Sequence, residues 1–262
     1  MVNITDNPHL HKTAVSRSTL FWADCFDVFP LIADKSVDAI IADLPYGTTA
    51  CKWDSIIDLD LLWEQYKRII KDNGAIVLTA SQPFTTKLIS SNYAWFKYEW
   101  IWDKGHSTNF MLSKKQPLKY HENILVFSNK QHFYNPIKTK REKDKDYSGS
   151  KNEYKNNNIV SRIKDTTKNL RTHLYPKSIQ FFSSQQKECN NFNRVHPTQK
   201  PVELMEYLIK TYTNENEIVL DNTMGSGTTG LACLKTNRQF IGIEKEKQYY
   251  DVAVRRLSEY CG

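Results

Sequence analysis

"EIVLDNTMGSGTTGLACLK", residues 217–235, joins a short apolar run to a glycine-bracketed turn and then to a stretch of helix formers. Such a run, bounded by turn residues, reads as a buried strand ending at Asp221. Gly225-Ser226-Gly227 lets the backbone turn tightly and approach a ligand, and a helix is expected from about Thr228. "FIGIE", residues 240–244, reads as the next strand. It places Glu244 about 20 residues past the turn, where an acid can accept both hydroxyls of a ribose. Strand, glycine turn, helix and acid-tipped strand together point to a nucleoside-type ligand. The turn is not G-x-G-x-x-G, and no lysine follows it as in a phosphate-binding P-loop.

The same texture extends upstream. "TLFWADC" (19–25), "VDAIIAD" (37–43), "AIVLTA" (75–80), "YEWIW" (98–102) and "ILVF" (124–127) are strand candidates. In 58–74, Leu59, Leu62, Trp63, Tyr66, Ile69 and Ile70 recur at helical spacing, with Asn73-Gly74 as a stop. Residues 200–213 repeat the pattern through Val202, Met205, Leu208, Ile209 and Tyr212, and 248–260 read as a final helix. Strands alternating with helices predict a mainly parallel sheet covered on both faces.

Residues 130–195 break that texture. They hold 15 Lys and Arg against 6 Asp and Glu, a local +9 that leaves −2 for the rest of a chain whose net charge is +7. Aromatic residues such as Tyr134, Tyr147, Tyr154 and Tyr175 are interleaved with the charge. The mixture suits a polyanion, since each neutralised phosphate releases counterions. A solvated lysine-rich loop would share the charge without the function. Residues 1–18 lack the apolar centre of a signal peptide and read as a polar leader. No apolar run approaches the roughly 18 residues of a membrane helix. Cys25, Cys51, Cys189, Cys233 and Cys261 are odd in number and contain no C-x-x-C pair, so neither a disulfide framework nor a metal site is expected.

"IIADLPYGTT", residues 40–49, ends an apolar strand at Asp43 and delivers Leu44, Pro45 and Tyr46 into a turn. An acid before a proline turn is usually only a strand terminus. Here, however, "DLPYG" stands beside "DNTMGSGTT" and "HPTQKPVEL" (196–204). The three motifs, in this order, resemble the β class of DNA amino-methyltransferases. The likeness covers about residues 19–257, with 130–195 matched only in charge.

The resemblance implies a Rossmann-like α/β fold: a seven-stranded, mostly parallel methyltransferase sheet with helices on both faces, circularly permuted. It implies a catalytic half over 19–129, a basic target-recognition insertion over 130–195 and a cofactor-binding half over 196–262. The implied cofactor is S-adenosylmethionine, held by Asp221, Met224, Gly225, Ser226, Gly227, Thr228 and Glu244. Thr198 and Lys200 are implied near its amino-acid end, and Asp24 near its adenine. A helix-capping role competes for Asp24.

Asp43 and the Leu44 carbonyl would accept hydrogen bonds from an exocyclic amine whose lone pair is otherwise delocalised. Pro45 would stiffen the turn, and Tyr46 would stack on the extruded base. Lys138, Lys140, Arg141, Lys143, Lys145, Lys151, Lys155, Arg162 and Lys164 are candidate phosphate contacts on duplex DNA. A homodimer and a cognate restriction endonuclease are further implied partners. The implied compartment is the cytoplasm of a prokaryotic or phage-infected cell.

An aspartate-led motif leans towards N6 of adenine, with N4 of cytosine as the near alternative. A nicotinamide-dependent oxidoreductase would share the glycine turn and Glu244 but leaves "DLPYG" unexplained. A non-catalytic DNA-binding protein would explain only the basic segment. Two departures from the family pattern stand out. Leu44 replaces a proline, and Asn222-Thr223 replaces Pro-Phe, which is expected to loosen cofactor packing.

Overall fold

A computed structural model describes residues 10–47, 55–107, 109–140, 172–183 and 199–261. Its elements are β1 (His11–Val15), β2 (Ser18–Trp22), α1 (Cys25–Val28), β3 (Val37–Ala42), α2 (Leu59–Ile69), β4 (Ile70–Ala80), α3 (Phe84–Ser91), β5 (Phe96–Asp103) and β6 (His121–Phe127). There follow β7 (Thr139–Lys140), β8 (His173–Leu174), β9 (Ile179–Phe181), α4 (Val202–Tyr212), β10 (Ile218–Asp221), α5 (Thr228–Lys235), β11 (Gln239–Glu244) and α6 (Lys247–Cys261). The chain divides into one unit over 1–135 and 178–262 and a second over 136–177.

The first unit is built on a sheet in the order β1-β2-β11-β10-β3-β4-β6-β5-β9. From β2 to β4 the strands are parallel, and β6 runs antiparallel to both β4 and β5. Among the described residues the sheet thus has nine strands rather than seven, because each edge gains one. At one edge β1 pairs antiparallel with β2 through a tight turn at Ser16, whose φ is +52°. Residues 11–15 are therefore a strand rather than leader. Val15 is buried, and the His11 ring lies edge-on to Trp22 and Tyr250. At the other edge β9 adds parallel to β5, so residues 178–183 leave the basic segment and join the sheet unit.

β3 is buried along its whole length, as a central strand covered on both faces must be. Its side chains alternate between two cores. Ile40 and Ala42 face α1, α2 and α3, whereas Ala39 and Ile41 face α4, α5 and α6. α2 starts at Asp58, whose carboxylate caps the Asp60 and Leu61 amides, and it buries Leu62, Trp63, Tyr66 and Ile69. Each such side chain contributes roughly 1.5–3 kcal/mol. The helix stops at Ile69, short of Asn73-Gly74, because Ile70 already pairs with Val37 across β3 and β4.

Buried polar groups stitch the strands together. Asp38 pairs with Lys71 at 2.6 Å and accepts the Ile218 amide at 2.9 Å, which ties β3 to β10. In the second unit β7 and β8 form a short antiparallel ladder, and the Lys138 ammonium lies 4.5 Å from the Tyr175 ring centroid.

Candidate active site

Because β10 lies between β3 and β11, the turns that follow Asp43, Asp221 and Glu244 all leave the same end of the sheet. That is where ligands bind in open α/β sheets.

The glycine turn is fixed by its own strand. Asp221 is buried and accepts the Thr223 amide at 3.1 Å and the Thr229 hydroxyl at 2.7 Å. Burial raises its carboxyl to about 7, against those two hydrogen bonds. Gly225 and Gly227 have φ of +51° and +78°, the left-handed region that favours glycine. A Cβ on Gly227 would also lie 2.9 Å from the Ala253 Cβ. Met224 is buried, with its amide on the Ile243 carbonyl. Ser226 and Thr228 are buried, and Arg256 of α6 donates to the Ser226 carbonyl at 2.6 Å.

Glu244 ends β11 as expected. Its carboxylate accepts the amides of Gly225 at 2.8 Å and Glu246 at 2.7 Å. Burial raises its carboxyl above the ordinary glutamate range. Asp24, at the end of the neighbouring β2, caps α1 through the Phe26 amide at 3.0 Å and faces Lys245 at 3.6 Å.

Asp43 stands one strand away. One carboxylate oxygen accepts the Tyr46 hydroxyl at 2.8 Å and the Thr79 hydroxyl. The other accepts Lys200 at 2.6 Å. The Thr223 hydroxyl donates to the Asp43 carbonyl at 3.0 Å, joining the glycine turn to this one. Leu44 is buried, and Pro45 is half-buried. The Tyr46 ring stacks on Phe84 at 5.3 Å. Burial, reinforced by Asp43 and Glu122, pushes its phenol well above the usual tyrosine range. The Tyr46 hydroxyl thus holds Asp43, a contact that its reading as a stacking ring did not include.

Lys200, assigned by resemblance to the amino-acid end of the cofactor, lies against the acid turn. It bridges Asp43 and Glu122, the latter at 3.5 Å. Burial alone would lower its ammonium, but the two carboxylates outweigh that and hold it above the ordinary lysine range. The buried Lys104 pairs with Glu122 at 3.3 Å, and Lys119 reaches the Ser81 hydroxyl. Thr79, Phe84, Ser81 and Lys119 were not singled out by sequence. Their only signal was position, since each lies at or beside a strand end pointing to the same rim.

Asn222 and Thr223, the departures after Asp221, have partners of their own. The Asn222 side chain accepts the Tyr66 hydroxyl, and Thr223 holds Asp43. Of the candidate phosphate contacts, Lys138 and Lys140 lie exposed in the second unit. Arg141, Lys143, Lys145, Lys151, Lys155, Arg162, Lys164 and the cofactor candidate Thr198 lie outside the described residues. Among the described residues no helix is long and apolar enough to cross a membrane.

Taken together, sheet order and site define a Rossmann-like α/β protein. A glycine turn for a nucleoside-type ligand and an acid–aromatic turn open side by side on it. Residues 37–255 match the DNA methylase family of N6 and N4 amino-methyltransferases, and the chain belongs to it. The type II methyltransferase M.HpaI of Haemophilus parainfluenzae is 28% identical over 88% of this chain and 71% of its own length. The crystal structure of the M1.HpyAVI–SAM complex superposes with a TM-score of 0.63 and 27% identity, covering 92% of this chain and 98% of that one. The cytosine-N4-specific PvuII DNA methyltransferase shares the fold, with a TM-score of 0.64 at 14% identity, covering 93% of this chain and 87% of that one.

Proposed function

We propose that the chain methylates the N6 amine of an adenine swung out of duplex DNA, with S-adenosylmethionine as donor. The observation that supports this most is the Asp43 carboxylate, held from three sides beside the glycine turn. A carboxylate offers about four lone-pair directions, so one remains for an incoming amine N–H. That bond, with one to the Leu44 carbonyl, would localise the amine lone pair and stabilise the positive charge developing on nitrogen. Tyr46 and Thr79 fix the carboxylate before the base arrives, so little reorganisation is left for the reaction itself.

The residues beside the glycine turn suit the donor. Gly225 and Gly227 allow close backbone approach, and the Glu244 carboxylate stands at the next strand tip, where it can turn towards ribose hydroxyls. When bound, S-adenosylmethionine supplies a methyl group on a sulfonium. The parallel pairing of β2 with β11 sets an early strand beside a late one, which supports a circularly permuted order. In this reading 19–129 is the catalytic half, 130–195 reads DNA and 196–262 holds the donor, in the cytoplasm.

N4 of cytosine is the second reading, because a cytosine amine would meet the same acceptors and the family spans both. Single-molecule sequencing of DNA from cells expressing the chain tests both. N6-methyladenine at one recurring motif is expected, and N4-methylcytosine would replace the first reading with the second.

A further inference from the structure

The connection between β5 and β6 carries a feature that the chemistry above does not use. Its ends are clasped where the Lys104 amide donates to the Tyr120 carbonyl at 2.8 Å. Asn109 closes the neck, donating to the Pro117 carbonyl at 3.2 Å and accepting the Lys119 amide at 2.7 Å. Lys104 and Lys119 lead from the neck to Glu122 and Ser81, at the rim of the Asp43 cluster.

Beyond the neck, Phe110–Leu112 form a single helical turn held by backbone hydrogen bonds from Leu112 to Asn109 and from Ser113 to Phe110. The backbone is ordered, yet the side chains are left in water: Phe110 is 71% exposed, Met111 94% and Leu112 41%. Exposed Lys114 and Lys115 follow at once. Contiguous exposed apolar side chains mark an interaction surface. Flanking cations on a chain of net charge +7 favour a polyanion and disfavour a second copy, whose own lysines would face them. A duplex that has lost one base from its stack offers an apolar gap lined by phosphates.

Resting on the methyltransferase reading, we propose that Phe110–Leu112 is a wedge that enters the duplex beside the target base and fills the space the base vacates. Lys114 and Lys115 hold the adjoining phosphates. The loop neck would then couple the vacated gap to the rim of the acid site.

The test uses the full chain and 30-base-pair duplexes containing the site that sequencing identifies. In one duplex the target is paired, and in the other it lies opposite an abasic position. The double variant Phe110→Ala/Met111→Ala alters only exposed side chains. It is expected to lose about tenfold or more in kcat/KM on the paired duplex, since extrusion costs a few kcal/mol. It should stay within about twofold of the native chain on the abasic duplex, where that cost is already met. Equal losses on both duplexes, no loss on either, or a change of oligomeric state in size-exclusion chromatography would overturn the wedge. A native chain that methylates neither duplex would instead overturn the methyltransferase reading.

Discussion

The Lys200 ammonium lies 2.6 Å from the Asp43 carboxylate although 157 positions separate the two residues in sequence. A buried, helix-leading lysine and a half-buried, strand-ending aspartate thus form one ion pair, extended by Glu122. On the proposed reading the lysine orients the acceptor, a role that can be told apart by experiment from one of holding the donor.

Lys200→Met is therefore expected to lower kcat about tenfold to a hundredfold, the scale of losing one preorganised electrostatic contact. The dissociation constant for S-adenosylmethionine should change little. Lys200→Arg should recover part of kcat. Steady-state kinetics with calorimetric donor binding decide it, and a loss confined to donor affinity would return Lys200 to the cofactor. The methionine variant also takes the ammonium from Asp43, while Glu122 keeps Lys104, so a stability loss of about 1–3 kcal/mol is expected.

Tyr46 should separate into hydroxyl and ring. Tyr46→Phe keeps the stack on Phe84 and removes one bond to Asp43, a loss of about 1 kcal/mol, or several-fold in kcat. Tyr46→Ala removes both and should also shrink the fluorescence change of 2-aminopurine placed at the target. Identical behaviour of the two variants would contradict a role for the ring.

Gly227→Ala meets strain at φ +78° and a contact of 2.9 Å with the Ala253 Cβ. A destabilisation of about 1–3 kcal/mol follows from holding a non-glycine residue there. Donor affinity should fall with it, because the turn must shift. Thermal melts with and without donor measure both effects, and an unshifted melting temperature would count against the turn geometry.

Asp221 supplies a pH test. Burial raises its folded carboxyl from 3.8 to about 7, so the folded state binds the proton more tightly than the unfolded chain. Its contribution is fully present below about pH 4 and is lost as pH rises through 7. Relative to the native chain, Asp221→Asn should gain stability between pH 4 and pH 7 and then level off. Denaturant unfolding at pH 4.5, 6 and 8 measures this. A pH-independent difference would mean that the carboxyl is ionised throughout.

The ligand turn was legible in sequence because its chemistry is local: a buried strand, two glycines and a helix lie in one run, and Glu244 follows at fixed spacing. Asp43-Leu44-Pro45-Tyr46 was legible for the same reason. Thr79, Phe84 and Ser81 were not, since they reach Asp43 or Tyr46 only through the register of β4 on β3 and the turn after it. Glu122 was visible as a charged residue but not as the shared partner of Lys104 and Lys200, because that pairing depends on where the sheet order puts β6. β1 escaped because four of its five residues stay outside the core, leaving Val15 as its one buried side chain. The early stop of α2 reflects sheet pairing at Ile70, which overrides local turn chemistry. Most of the candidate phosphate contacts fall outside the described residues.

The most direct measurement incubates duplex DNA with S-adenosylmethionine carrying a labelled methyl group, in parallel with the native chain and Asp43→Ala, and analyses the digested nucleosides. The native chain should place the label on N6 of deoxyadenosine. Asp43→Ala should lose it by at least about a hundredfold while still binding donor, as expected when a preorganised contact to the transition state is removed. Label transferred equally by both proteins would contradict the role assigned to Asp43.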